Sequence, residues 1–222
     1  MTLRLVEAES IGAVSPRQLL GALAPSTALE VGDRAFLRTG RLVLRPLVER
    51  DRDRFVGLVR RSRADLDRWS ALHHPGESDD EMFDRQLDLV RTGERRGTAS
   101  RRVIELTDGT LAGCVNLNSI TRGLQFECDA NWWVGTEHAG HGYATEALRA
   151  MTAHALRDLP GGLGLHRVFA GIRPDNTRSA AVALRCGFVR QPQVKSYLQV
   201  GGTWELHDIY VRDVLERPLG TE

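Results

Sequence analysis

The spacing of apolar residues changes several times along the first half of the chain, and each spacing predicts a different element. Apolar and polar residues alternate over residues 41–47 until Pro46 interrupts them, which predicts a half-buried strand. Over residues 55–69, apolar residues recur every three or four positions behind the acidic pair Asp51 and Asp53. This spacing predicts an amphipathic helix after the first strand.

Boundary residues predict a second helix and a strand hairpin further along. Ser78 stands at the position of a helix N-cap, with Glu81 three residues later as its capping-box partner. We expect this helix to end near Gly93 or Gly97. Two strand-like runs then flank residues 107–110, and the Asp-Gly pair between them favours a hairpin. Part of the sheet is therefore expected to be antiparallel.

The second half of the chain alternates strands and helices around one glycine-containing loop. A strand is predicted over residues 128–134, followed by a loop through residue 142 and a helix that begins near Tyr143. The remaining predicted elements are a strand over 167–172, a helix over 177–186 and strand-like runs near Phe188 and over 206–211. This order predicts a mixed α/β fold in which a twisted central sheet has helices on both faces.

The composition is that of one ordinary globular domain. Of 222 residues, 41% are hydrophobic and 27% are charged, a balance that sustains a buried core without disulfides or metals. Residues 1–35 differ in pattern from the rest. We expect them to form an N-terminal extension, and residues 36–222 to form the domain.

The charge balance argues against nucleic-acid and membrane partners. The formal net charge is +1, because 30 basic residues are matched by 29 acidic ones. No stretch approaches the roughly 18 apolar residues of a membrane span, and Glu7 and Glu9 do not fit a secretory signal. We expect a cytoplasmic protein, and a monomer or homodimer.

The cysteines and histidines predict neither disulfides nor a metal site. Cys114, Cys128 and Cys186 are too widely spaced for a zinc ribbon or a redox pair, so we expect reduced thiols in the core. His138 and His141 lie three residues apart, but no acidic or cysteine cluster accompanies them. No metal is therefore predicted.

The loop that ends at Gly140-His141-Gly142 is the candidate for chemistry. The predicted helix after it leaves backbone N–H groups unpaired at its positive end, and glycines let a phosphate approach the backbone closely. Thr145 stands where a dinucleotide-binding pattern needs its third glycine, and the Gly-Lys-Ser/Thr of a P-loop is missing. A Gly-x-Gly pair alone also fits a tight turn that binds nothing, so the surrounding motifs decide.

Four motifs occur in order around this loop. They are Trp133 with residues 140–147 (Gly-His-Gly-Tyr-Ala-Thr-Glu-Ala), Leu165-His166-Arg167-Val168, Pro174-Asp175-Asn176 with Ser179, and Cys186-Gly187-Phe188. Over roughly residues 38–214 the chain thereby resembles the Gcn5-related N-acetyltransferases (GNAT), in the RimJ/RimL-like branch that acetylates N-termini of ribosomal proteins. The resemblance implies a GNAT-like fold with acetyl-CoA as co-substrate. The chain departs from the family at Glu137, where an arginine or glutamine is usual.

The resemblance also implies where the co-substrate is held. In this family acetyl-CoA lies between two parallel strands that splay apart, so the backbone of Trp133, Val134 and Gly135 is expected to contact its pantetheine arm. The residues implied to hold the pyrophosphate are His138, Ala139, Gly140, His141, Gly142, Tyr143 and Ala144. Asn176 and Ser179 are further implied contacts, although an asparagine there is also a favoured helix cap.

Catalysis requires a base, because a protonated amine cannot attack a thioester. The family often has a glutamate at the position of Asp129, which implies Asp129 as the base and Glu127, two residues earlier on the same face, as second candidate. Both acids could instead face solvent or pair with an arginine. For the proton that the CoA thiolate needs, the family pattern implies Ser179, with Tyr197 as the rival.

The resemblance implies transfer of an acetyl group from acetyl-CoA to a primary amine by direct attack, without a covalent enzyme intermediate. A protein or peptide N-terminal α-amine is the first expectation, a small-molecule amine the second, and a non-catalytic acyl-CoA-binding module the third. Residues 66–77 are expected to form the acceptor cleft. His207 and Asp208 resemble the family's closing strand beside that cleft.

Overall fold

The computed structural model describes residues 37–70, 72–200 and 203–214, and the predicted extension over residues 1–35 lies outside this part. The described strands are β1 (Leu37–Arg38), β2 (Leu42–Arg45), β3 (Ser100–Leu106), β4 (Leu111–Thr121), β5 (Glu127–Val134), β6 (Arg167–Ile172), β7 (Val189–Val200) and β8 (Thr203–Asp213). The described α-helices are α1 (Arg52–Arg61), α2 (Arg63–Trp69), α3 (Asp79–Arg96), α4 (Tyr143–Leu156) and α5 (Thr177–Arg185). Short 3₁₀ turns cover Glu49–Asp51 and Thr136–His138.

The strands form one sheet in the order β1-β2-β3-β4-β5-β6-β8-β7. Neighbouring strands are antiparallel except β5 and β6, which are parallel and are connected through α4. The predicted mixed α/β fold is confirmed.

The two faces of the sheet bury separate hydrophobic clusters. Helices α1, α2 and α3 pack with Val103 and Cys114 on one face, whereas α4 and α5 pack with Ile104 and Val115 on the other. Neighbouring residues join opposite clusters because side chains alternate along a strand. We call these the α1–α3 face and the α4–α5 face.

Several local predictions are confirmed at the level of hydrogen bonds. The Glu81 N–H donates to Ser78 Oγ (3.3 Å) and the Ser78 N–H to Glu81 Oε2 (2.9 Å), which completes the capping box of α3. The helix ends before Gly97, whose φ of 65° suits a glycine. In the hairpin, the Leu106 N–H donates to the Thr110 carbonyl at 2.8 Å.

The single helix predicted over residues 55–69 is two helices, and that prediction was wrong. The break lies at Ser62, which has φ −105° and ψ 6°. Its buried hydroxyl accepts a hydrogen bond from the Thr136 N–H at 3.1 Å, at the far end of β5. A tertiary contact therefore ends the helix where the apolar spacing continues.

A buried ion pair joins β2 to the start of α1. Arg45 Nη1 donates to Asp51 Oδ2 at 2.6 Å, and Arg45 also pairs with Glu105 on β3. Asp51 is fully buried. Burial by itself raises the pKa of Asp51, but hydrogen bonds from Arg45 and the Val48 N–H hold it below its ordinary value. Removing one partner would leave an uncompensated buried charge, so the pair fixes α1 on the sheet.

Strands β4 and β5 approach closely at Gly113. A Cβ atom there would lie 2.1 Å from the Trp133 carbonyl oxygen, which is backbone and has no free rotamer to adopt. Gly113→Ala should therefore lower the free energy of unfolding by roughly 2–4 kcal/mol, the range of severe core substitutions. Chemical denaturation measures this loss.

Gly40→Ala is the matched control, because a Cβ at Gly40 meets nothing within 4 Å. It should change the free energy of unfolding by less than about 0.5 kcal/mol. Equal stabilities for the two variants would contradict the described packing of β4 on β5.

Candidate active site

The central feature of the site is the point where β5 and β6 part. Their register runs from Glu127–Arg167 to Asp129–Phe169 and ends there. Strand β5 continues for five residues to Val134, and β4 pairs with it on its other edge. The edge of β5 that faces β6 is thus open beyond Asp129, and its backbone groups can pair with an extended ligand.

Residues at the end of β5 hold this opening in place. Trp132 packs into the cluster of the α4–α5 face, and Trp133 into the other, where its ring lies 5.9 Å from that of Phe55. The two rings lie on opposite faces because side chains alternate along a strand. Gly135 is buried against α1, and a Cβ there would lie 2.4 Å from Leu58 Cδ1. A side chain at this position would require Leu58 to shift.

The loop after β5 presents a helix N-terminus without a side-chain cap. Gly142 is the N-cap residue of α4, with φ 80°. The N–H groups of Gly142, Tyr143 and Ala144 donate to no residue of the described part of the chain. Those of His138 and Ala139 already donate to the carbonyls of Gly135 and Thr136. The free donors thus cluster at the positive end of α4, which suits an anion.

Space at this N-terminus is also open. A Cβ atom at Gly140, where φ is 82°, would meet nothing within 4 Å. The positive φ accounts for the glycine, and the space beside its Cα is unoccupied. The predicted phosphate cradle therefore has both donors and room.

An ion pair between Arg41, just before β2, and Glu146 on α4 supports the loop. Arg41 Nη2 lies 2.6 Å from Glu146 Oε2, and Arg41 Nη1 donates to the His141 carbonyl at 3.0 Å. The guanidinium lies over the Tyr143 ring, which stacks on His141 with centroids 5.6 Å apart. Thr39 also donates to Glu146 Oε1 at 2.5 Å. The loop conformation is therefore held from outside before any ligand binds.

The unusual residue Glu137 has a cationic partner. Arg61, in the last turn of α1, donates from Nη2 to Glu137 Oε1 at 2.9 Å. This pair holds the pKa of Glu137 below its ordinary value, mainly through the Arg61 hydrogen bond. A guanidinium therefore lies beside the position where the family has its basic or amide side chain.

Asp129 lies on the α1–α3 face at the last register pair before the opening. Its side chain is exposed, yet the surrounding protein desolvates it enough to raise the pKa of the carboxyl. A hydrogen bond from the Ser119 hydroxyl to Asp129 partly opposes this rise in pKa. Ser119 stands on a bulge of β4 and has a φ of 51°. Among described residues, neither Asp129 nor Glu127 has a basic partner. Asp129 is thus an accessible carboxylate with an enhanced affinity for a proton.

The structure brings some of the remaining predicted residues to the site and not others. Asn176 Oδ1 accepts from the Ser179 N–H at 3.1 Å, so Asn176 caps α5. Ser179 stands in the first turn of that helix, after the end of β6. Tyr197 lies on β7, the third strand from β5, and is 63% exposed. The structure does not bring Tyr197 to Asp129.

The closing strand β8 has its acid engaged elsewhere. Asp208 is buried and pairs with Lys195 Nζ at 2.5 Å and with Arg190 Nη2 at 2.7 Å. Hydrogen bonding to Lys195 is the main cause of its lowered pKa. The His207 Nδ1 lies 2.8 Å from the Glu205 carbonyl oxygen. Asp208 therefore stabilises the pairing of β7 with β8.

The cysteines are unsuited to nucleophilic chemistry. All three are free and buried, as predicted. Burial raises the pKa of Cys114 and of Cys128 to about 12, and raises that of Cys186. A thiol with so high a pKa supplies almost no thiolate at neutral pH.

Within the ranges that the structure describes, no group of three histidine, cysteine or acidic side chains could hold a metal, and no helix is long and apolar enough to cross a membrane. A cavity of about 1020 Å³ lies at the other end of the β5–β6 pair, beside Phe126, Arg157 and His166. No predicted site residue lines it, so the opening between β5 and β6 is the better candidate.

Reasoning from the sequence missed the side chains that support the loop. Arg41 and Glu146 are 105 positions apart, and Arg61 and Glu137 are 76 apart. No local pattern links such pairs. Only Glu137 gave a signal, as an acid where the family has Arg or Gln.

Comparison with known proteins agrees with this geometry. Residues 41–189, more than half of the chain, match the family described as acetyltransferase (GNAT) domain. The [ribosomal protein uS5]-alanine N-acetyltransferase of Escherichia coli (strain K12) is 26% identical over 172 residues, which cover 77% of this chain and 87% of that protein.

Solved structures give the same result. Mycobacterium smegmatis RimJ in complex with CoA-disulfide has a TM-score of 0.71 and 28% identity, over 81% of this chain and 88% of that one. RimL, a ribosomal L7/L12 alpha-N-protein acetyltransferase solved with coenzyme A, has a TM-score of 0.69 at 22% identity, over 81% and 98%. The second likeness concerns the fold alone. The chain therefore belongs to the GNAT family and is an acetyl-CoA-dependent N-acetyltransferase.

Proposed function

We propose that this acetyltransferase modifies the N-terminal α-amine of a protein or peptide, with Asp129 as the base. The observation that carries the proposal is Asp129 itself, an accessible carboxylate without a basic partner among described residues, at the point where β5 and β6 part. The named activity of the Escherichia coli relative supports the choice of acceptor. The side chains of Asp129 and Asn131 are exposed on the α1–α3 face.

The residues that would hold the co-substrate follow from the same geometry. Acetyl-CoA supplies an activated acetyl thioester. The free edge of β5 at Trp133, Val134 and Gly135 would pair with its pantetheine arm, and the free N–H groups from Gly142 to Ala144 would bind its pyrophosphate. Arg61 would supply the cation at the position of Glu137.

Asp129 is better placed than Glu127 to act as the base. Glu127 is opposite Arg167 at the far end of the paired part of β5 and β6, whereas Asp129 stands at the end where the strands part. A raised pKa also makes the Asp129 carboxylate a stronger base at neutral pH. Asp129 would accept the proton of the acceptor ammonium, directly or through one water molecule.

The transfer then forms one N–C bond and breaks one C–S bond. The neutral amine attacks the thioester carbonyl carbon, and the N–H proton that the nitrogen then loses passes to the departing CoA thiolate, while Asp129 keeps the proton that it took from the ammonium. Ser179 would donate a hydrogen bond or proton to the departing thiolate, because its helix begins beside the end of β6. The high pKa values of the buried cysteines favour this direct attack over transfer through a cysteine.

Asp129→Asn should lower kcat by about 10²–10⁴-fold, the usual contribution of a general base, with little change in CoA affinity. Steady-state kinetics and calorimetric titration with CoA measure the two quantities. Glu127→Gln is the matched control and should keep most of the activity. A large loss of kcat in Glu127→Gln, with little loss in Asp129→Asn, would instead identify Glu127 as the base.

The pH dependence should show the raised pKa of Asp129. As pH falls, protonation removes the base, so kcat/KM should decline from a pH above about 3.9, the ordinary aspartate value. In the fold, ionisation of Asp129 costs stability as pH rises through this raised pKa. Asp129→Asn should therefore be no less stable than the wild type at pH 7. If kcat/KM of Asp129→Asn still declines in the same way at low pH, Asp129 is not the group whose protonation causes the decline.

Charge changes beside the loop should alter CoA affinity in opposite directions. Glu137→Gln removes a negative charge near the phosphates and should tighten binding about two- to fivefold, whereas Arg61→Gln should weaken it by a similar factor. Calorimetry at low ionic strength measures both. Arg95→Gln, an exposed change on α3, is the control for net charge. If Arg61→Gln behaves like Arg95→Gln, Arg61 does not contact the phosphates.

A further inference from the structure

A row of polar side chains crosses the α1–α3 face beside the opening. Arg101 on β3 is opposite Asn116 on β4, which is opposite Asn131 on β5. The next row contains Asn118 and Asp129, which are direct partners across β4 and β5. This arrangement places a cation and the proposed base on one surface, with Asn118 between them.

Arg101 has only neutral partners among the described residues. Its Nε donates to Asn118 Oδ1 at 2.8 Å, and its Nη1 donates to Gln86 Oε1, on α3, at 3.0 Å. Its Nη2 donates to none of the described residues, and this atom is not sealed from solvent. A guanidinium can make five hydrogen bonds, so donors remain for a ligand.

The surroundings of Arg101 do not neutralise its charge. Arg101 is partly buried, and desolvation is the main cause of the lowered pKa of its guanidinium. The nearby Arg85 adds a second positive charge, but Arg85 already binds Glu77 through Nε at 2.7 Å. A partly buried cation without a carboxylate is costly for the fold, and such groups concentrate at functional sites.

The distance to Asp129 suits a short ligand. Directly opposed residues have Cβ atoms about 5 Å apart, so Asn118 and Asp129 are near neighbours. Arg101 binds Asn118 from the other side. The guanidinium and the Asp129 carboxylate are therefore separated by a distance on the order of 8 Å. One amino-acid step of an extended chain spans roughly 3.5 Å, and a glutamate side chain adds to this reach.

We infer that Arg101 binds a carboxylate of the acceptor, and that the enzyme selects N-termini with an acidic side chain at the second residue. The inference rests on the proposed function, because it requires a peptide amine at Asp129. The amine, when protonated, is attracted by Asp129, and the acidic side chain completes the bonding of Arg101. Arg101 is thus a specificity-determining residue.

The test compares peptides of equal composition and net charge. One peptide has Glu at position 2 and Gln at position 6, and the second has these two residues exchanged. The wild-type enzyme should acetylate the first with a kcat/KM about tenfold higher or more, the value of a charge-assisted hydrogen bond. In Arg101→Gln this preference should vanish, so that the ratio of the two kcat/KM values falls to about one.

Controls separate specificity from folding. Arg91→Gln, an exposed change on α3, should keep the full preference. Arg101→Lys retains the positive charge but lacks the planar guanidinium, so it should keep part of the preference for the first peptide. If Arg101→Gln does not fold, the wild-type comparison and Arg101→Lys still decide the matter.

The outcomes distinguish this inference from the proposed function. Equal rates for the two peptides with the wild-type enzyme, or an unchanged preference in Arg101→Gln, would overturn the inference and leave N-terminal acetylation in place. Failure of the wild-type enzyme to acetylate either peptide, in the presence of bound acetyl-CoA, would overturn both.

Discussion

The site depends on the interrupted pairing of the two parallel strands β5 and β6. Their hydrogen-bonded register ends at Asp129 and Phe169, and β5 continues to Val134 with one edge free. In a continuous sheet these groups would be satisfied by β6, and no ligand could compete for them. The exposed Asp129 side chain stands where the separation begins, and the loop over residues 135–142 joins β5 to the N-terminus of α4. In the proposed function, this one departure from regular pairing provides the groove for acetyl-CoA, with the proposed base Asp129 at its start.

The carboxylates around this opening differ in whether they have a basic partner. Outside it, carboxylates pair with arginines, as in Asp51 with Arg45 and Glu146 with Arg41. These pairs fix α1 and the loop before α4 on the sheet. Inside it, Asp129 has no basic partner within the described ranges. An ion pair that stabilised this carboxylate would lower its pKa and weaken it in its proposed role as a base.

The sequence predicted the parts of the structure that local chemistry determines. The capping box of Ser78, the hairpin over residues 107–110 and the strand-loop-helix order around Gly142 each depend on residues a few positions apart. The helix break at Ser62 could not be predicted, because it depends on the N–H of Thr136, 74 positions away. The partners of the loop and the position of Arg101 beside the proposed base also require the strand register. That register depends on the packing of both faces and not on any one segment.

Amide hydrogen exchange of the wild-type protein, with and without acetyl-CoA, tests the central claim most directly. The free N–H groups from Gly142 to Ala144 exchange rapidly unless a ligand binds them. The account predicts that acetyl-CoA protects residues 130–145, at the end of β5 and the start of α4. Protection of residues 149–158, along the cavity at the other end of the strand pair, with none over 130–145, would contradict it.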